Sequence, residues 1–379
     1  MNGPRTASRA PVGYLDGKRG CFFFPRAKGG LRRVLRAKGI KPREAALGVI
    51  LTLTFLAVPI PSVGQQPAKA YRIGRLSAAR PETDARVCPL KGDAFWQTWI
   101  EALRERGYVQ GRNLVVDCRY TAGRNERAAA FAAELVNLKV DLIVAVSTNN
   151  VRAVKEATSA IPIVMHGVID PVRRGLVGSL SRPGGNVTGL ADDAGLEILG
   201  KYLGLLLEAV PGITRVATIH KPDAVGDPAL AWERILDTEA RILGVRLQSY
   251  HVRDSDELEG AFSAMTKGRA QALLVIPSSF FVVHAQRIVD FAARNRLPAM
   301  YPDRQHVELG GLMAYAVDDL ETARRVSGYV DRILKGAKPG DLPVEQPTKF
   351  ELIINLKTAK TLGLTIPPTL LMQAEVVIR

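Results

Sequence analysis

The chain has 379 residues, room for two domains of ordinary size, and 47% hydrophobic with 23% charged residues is a globular composition rather than a disordered or fibrous one. Its formal charge of +15 points toward nucleic acid only until the charge is located: residues 1–64 hold 12 Lys+Arg against Asp16 and Glu44. The rest is nearly balanced and lacks basic clusters interleaved with aromatics, so nucleic acid is excluded as a partner.

In chain order, "LRRVLRAKGIKPRE" is a basic segment and "AALGVILTLTFLAV" an apolar run of 14 residues that stops at Pro59. A membrane span needs about 20 apolar residues, so the run reads as an export signal. Ser62-Val63-Gly64 supplies small residues for cleavage near Gln65, which puts the mature chain in the periplasm. Residues 1–64 are therefore a leader. Cys21 departs with it, leaving Cys88 and Cys118 as either one disulfide or two free thiols.

From Tyr71 onward, apolar runs alternate with amphipathic stretches. "YRIGRLS" is a strand; Trp96, Trp99, Ile100 and Leu103 form a helical stripe that stops at Gly107. "NLVVDCRY" is the second strand. It carries Cys118, and neighbouring strands would bring Cys88, in the loop leaving the first strand, to the same sheet edge. A helix with Ala128, Phe131, Ala132 and Leu135 follows, and then "VDLIVAVS", a continuous apolar strand of the kind buried on both faces of a parallel sheet. A helix over 149–160 and the strand "IPIVMHGV" complete a βαβαβαβ unit. After "RPGGNVTG" the rhythm restarts with "TRVATIH", "VRLQSYHV", "ALLVIPS" and "LPAMYP", each pair separated by a helix. One more helix with Ala323, Val326 and Val330, and a tail containing "KFELIINLKTAKTLGLTIPPTLL", show the chain crossing back more than once. The expectation is an α/β protein of two doubly wound parallel-sheet lobes joined by a multi-crossing hinge. Residues 71–190 and about 316–343 form the first lobe; 191–315 and about 344–379 form the second. Gly184, Gly185, Asn186 and Gly189 serve the hinge.

In open α/β sheets ligands sit beyond the carboxyl ends of the strands. The polar residues there are Ser77, then Ser147, Thr148 and Asn149 at a helix start whose free N–H groups favour an anion, then Asp170, and in the second lobe Ser278, Tyr301 and Asp303. Ser147 to Asn150 are also ordinary helix-capping types, and Asp303 also reads as a solvated loop residue. Catalytic parts are missing: there is no G-x-G-x-x-G, P-loop or G-x-S-x-G. The five histidines are scattered, without H-E-x-x-H or C-x-x-C, so no metal and no cofactor are expected. The chain does not read as an enzyme.

Long segments carry a resemblance: "LRERGYVQGRNLVVDCRY", "IPIVMHGVIDPVRRGLVGSLSRPGGNVTGL" and "RILKGAKPGDLPVEQPTKFELIINLKTAKTLGLTIPPTLL". From about Tyr71 to its end the chain resembles the periplasmic ABC-transporter substrate-binding proteins of the tryptophan/tyrosine type. The resemblance implies a type I periplasmic-binding fold, two lobes around a cleft, and a monomer that delivers a small solute to ABC permease subunits. It also implies a ligand-carboxylate site at Ser147, Thr148 and Asn149, with Asp170 and Asp303 facing a ligand amino group. The chain departs from the family at Thr148-Asn149-Asn150, where Gly, Thr, Pro or Ala are common, and at His220-Lys221-Pro222, where many members have Asn-Pro. Its first-strand loop, which contains Cys88, is longer than usual. A second reading is a ligand sensor that presents its closed form to a membrane receptor kinase.

Overall fold

The computed structural model describes residues 69–78, 86–88, 93–192, 198–222 and 230–379. Every described residue belongs to one compact unit, Ala68–Arg379. The export signal and its cleavage site near Gln65 lie outside the described residues.

The first sheet is built from β1 (Tyr71–Ser77), β2 (Leu114–Tyr120), β3 (Leu142–Val146), β4 (Ile163–His166) and β5 (Val187–Gly189). Its strands are all parallel, in the order β2-β1-β3-β4-β5. The helices between them are α1 (Ala94–Glu105), α2 (Ala128–Asn137) and α3 (Thr148–Ala157). The unbroken apolar run of β3 has a direct reason. Ile143 and Ala145 feed one core, with Phe131 and Leu135 of α2 and Val151 of α3, while Leu142 and Val144 feed the other, with Trp96, Trp99 and Leu103 of α1. Side chains alternate across a strand, so a sheet covered on both faces has no polar position to spare. Asp93 fixes where α1 begins, its carboxylate accepting from the Trp96 N–H at 2.8 Å.

The second sheet has seven strands. They are β6 (Arg215–His220), β7 (Arg246–His251), β8 (Ala272–Val275), β9 (Ala299–Tyr301), β10 (Met313–Val317), β11 (Phe350–Asn355) and β12 (Val376–Ile378), in the order β12-β11-β10-β9-β8-β6-β7. The run β7-β6-β8-β9-β10 repeats the order of the first sheet. β11 is antiparallel to β10 because the chain re-enters this lobe from the other one, and β12 is parallel to β11. The helices along this part of the chain are α4 (Ile198–Ala209), α5 (Leu230–Ile242), α6 (Glu257–Lys267), α7 (Ser279–Val283), α8 (Ala285–Arg294), α9 (Arg304–Glu308), α10 (Asp319–Leu334), α11 (Leu356–Thr361) and α12 (Pro368–Gln373), and all but α10 belong to the second lobe.

α10 lies between two strands of the second sheet in sequence but packs on the first. Ala323, Val326, Val330 and Ile333 share a core with Trp99 and Leu103, and the buried Ser327 hydroxyl donates to the Ala323 and Trp99 carbonyls at 2.8 and 3.3 Å. The chain therefore crosses three times: after β5, between β10 and α10, and again before β11. The first and third crossings run side by side, Leu190 bridging Glu345, with Glu345 N–H to Gly189 O at 3.0 Å and Ala191 N–H to Glu345 O at 2.9 Å. Lys349 ties the second and third together, its Nζ 2.6 Å from Asp318.

The glycines expected at the hinge take different places. Gly184, Gly185 and Asn186 precede β5 inside the first lobe: Gly184 N–H donates to Gly340 O at 3.3 Å, and the Asn186 amide donates to Thr158 O and Ile161 O, both at 2.9 Å. A fifth strand, β5, stands between them and the crossing, so these three anchor that strand. Only Gly189 adjoins the crossing. Val187–Gly189 is too short a strand for periodicity to register.

Candidate functional site

The carboxyl ends of β1, β3 and β4 meet the first crossing at a small set of residues. Ser147 follows β3 with φ +83°, a backbone region costly for any residue with a Cβ. It is buried, and its N–H donates to His166 O at 3.0 Å. Its side chain does not cap α3, which leaves the first-turn N–H groups at Thr148 and Asn149 oriented for an anion. Asn150 turns back, its amide donating to Val146 O at 2.8 Å.

Gly167, at φ +67°, continues from β4 so closely that a Cβ there would lie 3.4 Å from Ser147 N. Its N–H donates to Asp192 Oδ1 at 3.2 Å. Asp192 belongs to the first crossing, Asp303 follows β9, and Asp319 opens α10 at the second crossing, so three chain segments contribute a carboxylate each. Burial pushes Asp192 up to about 6, opposed by the Gly167 N–H and reinforced by the charge of Asp303. Asp319 is raised well above its ordinary value by burial first, then by Asp303 and Asp192, with Arg304 opposing. Arg304 is itself paired with Glu351. Tyr202 of α4, Tyr315 of β10 and Phe350 of β11 form an aromatic row beside this cluster, with ring centroids 6.1 and 5.4 Å apart, and Asp192 and Asp303 help hold the Tyr202 phenol protonated, after burial.

The opposite sign comes from Arg75, two residues before the end of β1. It is 5% exposed, donates from Nη1 to Tyr120 Oη at 2.7 Å, and lies 5.5–5.8 Å from the ring centroids of Phe95, Trp96 and Tyr120. Its Nε is buried without a hydrogen-bond partner among the described residues. His166 stacks on Phe95 at 4.7 Å and is held at about 3, by burial and then by Arg75, so this imidazole is neutral.

The residues singled out from sequence divide accordingly. Ser147, Thr148 and Asn149 stand at the α3 start, and Asp303 joins the acidic cluster while also capping α9 through Gln305 N–H at 2.8 Å. Ser77 is buried at the end of β1, its carbonyl accepting from Thr121 N–H at 2.9 Å. Asp170 sits at φ +49° in its own turn, accepting from Arg173 N–H at 3.1 Å and pairing with the Arg173 guanidinium at 3.1 Å. Ser278 caps α7 through Phe280 N–H at 3.3 Å. Tyr301 is fully buried in the second-lobe core, stacked on His306 at 4.8 Å; a strand-end tyrosine next to an apolar core packs inward to bury its ring. Cys88 and Cys118 are joined, with their Cα atoms 5.2 Å apart, across the β1–β2 edge. Arg75, Asp192 and Asp319 are not among the residues expected at the site from the sequence. A signal existed for two of them: Asp192-Asp193 and Asp318-Asp319 are acidic doublets placed directly after short apolar strands, where the chain changes lobe.

A family model for ABC transporter substrate binding proteins matches residues 90–378. The chain belongs to this family. A curated relative, the "Tyrosine-binding protein" of Clostridioides difficile, is 30% identical over 267 residues, 70% of this chain and 75% of that protein. Among solved structures, a conserved domain protein from Vibrio cholerae matches with 25% identity and TM-score 0.71, covering 82% of this chain and 100% of that one. An ABC domain in complex with L-Trp from Streptococcus pneumonia matches at 24% identity with the same TM-score and coverage. A ligand-free, open substrate-binding protein with adhesive properties from Clostridium difficile matches at 23% identity and TM-score 0.56, covering 82% and 99%. The shared fold is that of type I periplasmic-binding solute-binding proteins, with two parallel-sheet α/β lobes. Among the described residues no helix is long and apolar enough to cross a membrane.

Proposed function

We propose that this substrate-binding protein captures a free amino acid, aromatic by preference, in a cleft between its lobes and hands it unchanged to an ABC permease from the periplasm, acting as a monomer. The observation that carries the reading is the separation of charge at the strand ends. The α3 start at Ser147, Thr148 and Asn149, backed by Arg75, is an electropositive wall. Asp192, Asp303 and Asp319 form an electronegative one. A zwitterion fits both at once: its carboxylate meets the helix N–H groups, and its ammonium relieves the repulsion among the carboxylates. The tyrosine bound by the curated relative and the tryptophan bound by the streptococcal protein are of this chemical class, and the Tyr202–Tyr315–Phe350 row supplies ring surface for such a side chain. In this reading Ser77, Asp170, Ser278 and Tyr301 support the walls, and Gly189, Asp192 and Glu345 lie where the lobes swing.

The test is a thermal-shift and calorimetric comparison of L-tyrosine and L-tryptophan with their deaminated and decarboxylated analogues. The amino acids should raise the melting temperature, since a ligand stabilises by RT ln(1 + [L]/Kd). Analogues lacking either charge should bind at least about tenfold more weakly, the equivalent of one lost charged contact of about 1.4 kcal/mol. Equal binding of the decarboxylated analogue would remove the electropositive wall from the proposal, and chemical change of the solute would overturn the non-enzymatic reading. A sensor role would show instead as ligand-dependent capture of a membrane receptor kinase.

A further inference from the structure

His220, Glu233 and His251 meet at the outer edge of the second lobe, although 31 positions separate the two histidines in sequence. β6, α5 and β7 form one βαβ unit, and the parallel register sets His220 directly opposite His251 on neighbouring strands. The crossover helix brings Glu233, in its first turn, over both. Glu233 Oε1 lies 3.4 Å from His220 Nε2 and 3.3 Å from His251 Nε2, and one ligand atom from each of the three residues falls within 4.8 Å of the others. The imidazole rings are 4.0 Å apart, centroid to centroid.

We propose that this triad binds a divalent transition-metal ion of the zinc class. Zinc holds nitrogen and oxygen ligands at about 2.0–2.2 Å, so adjacent ligand atoms of a tetrahedral site stand about 3.3–3.5 Å apart. Two of the three pairs already have that spacing, and the third lies within 4.8 Å. Two imidazoles and one carboxylate suit a borderline ion and not calcium or magnesium, which prefer oxygen. The side chain of His220 is 2% exposed, that of Glu233 22% and that of His251 54%, which leaves solvent access for a fourth ligand. The neighbouring Lys221 ammonium is engaged elsewhere, donating to Arg253 O at 2.5 Å and lying over the Phe280 ring. The site is separate from the proposed amino-acid site: β7 is three strand spacings, about 14 Å, from β9, which leads to Asp303.

The experiment uses untagged protein, freed of metal with a chelator and titrated with Zn²⁺ alone by calorimetry, followed by Co²⁺ substitution and visible spectroscopy. The expected result is one tight ion per chain, a higher melting temperature, and a cobalt spectrum of low-coordinate type. His251→Ala and Glu233→Gln should each weaken zinc binding at least about tenfold, no less than the loss of an outer-shell partner, while His284→Ala leaves it unchanged. His251 is exposed, so its variant should melt like the parent in the absence of metal. The metal-free alternative, Glu233 simply accepting from two imidazole N–H groups, gives no zinc binding in the parent protein. That result, or undiminished affinity in both variants, overturns the proposal.

Discussion

Asp192 stands three residues past β5, and its carboxyl titrates at about 6 instead of near 3.8 because burial and Asp303 oppose its charge. A folded-state value above the unfolded one means that the native protein holds the proton more tightly. This group's stabilising contribution is complete below about pH 4 and is lost as pH rises through about 6. We expect the ligand-free protein to lose on the order of 1–3 kcal/mol from this group over that interval, and Asp192→Asn to flatten the slope in urea titrations at pH 4 and pH 7. A bound ammonium favours the ionised cluster, so amino-acid affinity should fall as pH drops below about 6. Calorimetry in buffers of different ionisation enthalpy should then register proton release on binding. Ser147 supplies a second test at this scale. Its φ of +83° costs about 1–3 kcal/mol, and glycine removes that cost while giving back about 0.4–1 kcal/mol of unfolded-chain entropy. Ser147→Gly should therefore stabilise the protein by about 1 kcal/mol in a denaturant melt, whereas Ser147→Ala should give no such gain.

β5 is held by contact too close for any side chain at its end. At Gly189 a Cβ would lie 2.2 Å from Met165 O, and the residue already has φ +130°. Gly189→Ala should thus be among the most damaging single changes, costing more than about 3 kcal/mol, whereas Gly185→Ala, with open space around it, should cost little. The β1–β2 edge carries the Cys88–Cys118 bridge, which spans 30 residues and is worth about 3–4 kcal/mol in the chain-entropy model. Reduction should lower the midpoint of unfolding accordingly, read by thiol titration alongside the melt. At the α3 start, replacing Thr148 and Asn149 together with bulky apolar residues should abolish amino-acid binding while leaving the protein folded, since neither residue caps the helix.

Three crossings make the two lobes a single mechanical system. Their order — after β5, before α10 and before β11 — places Asp192, Asp318, Asp319 and Glu345 at the same junction, with Arg325 bonding Glu345 at 3.0 Å from α10. Any motion of one lobe against the other has to pass through these strands, and Asp192 and Asp319 lie on two of them. Lobe closure coupled to amino-acid binding should appear as a smaller radius of gyration in solution scattering, absent in Asp192→Asn. At the other end of the chain, mass spectrometry of the exported protein should find its first residue within a few positions of Gln65.

The two-lobed α/β architecture is legible in local patterns. Helical stripes such as Trp96-Trp99-Leu103 and runs such as "VDLIVAVS" are local patterns, and a strand covered on both faces has to be apolar throughout, so element type and lobe count can be read from them. The sequence also placed the α3 start and Asp303, since strand ends are where a parallel sheet leaves polar groups. Tertiary structure decided what those groups meet. No local pattern says that Tyr301 turns into the core, that Asp170 serves its own turn, or that Gly184 and Gly185 stop one strand short of the crossing. The carboxylates of Asp192, Asp303 and Asp319 are more than a hundred residues apart at their widest and converge only because the chain changes lobe three times. His220 and His251 looked scattered for the same reason: a strand register is a non-local contact, and it alone sets them side by side.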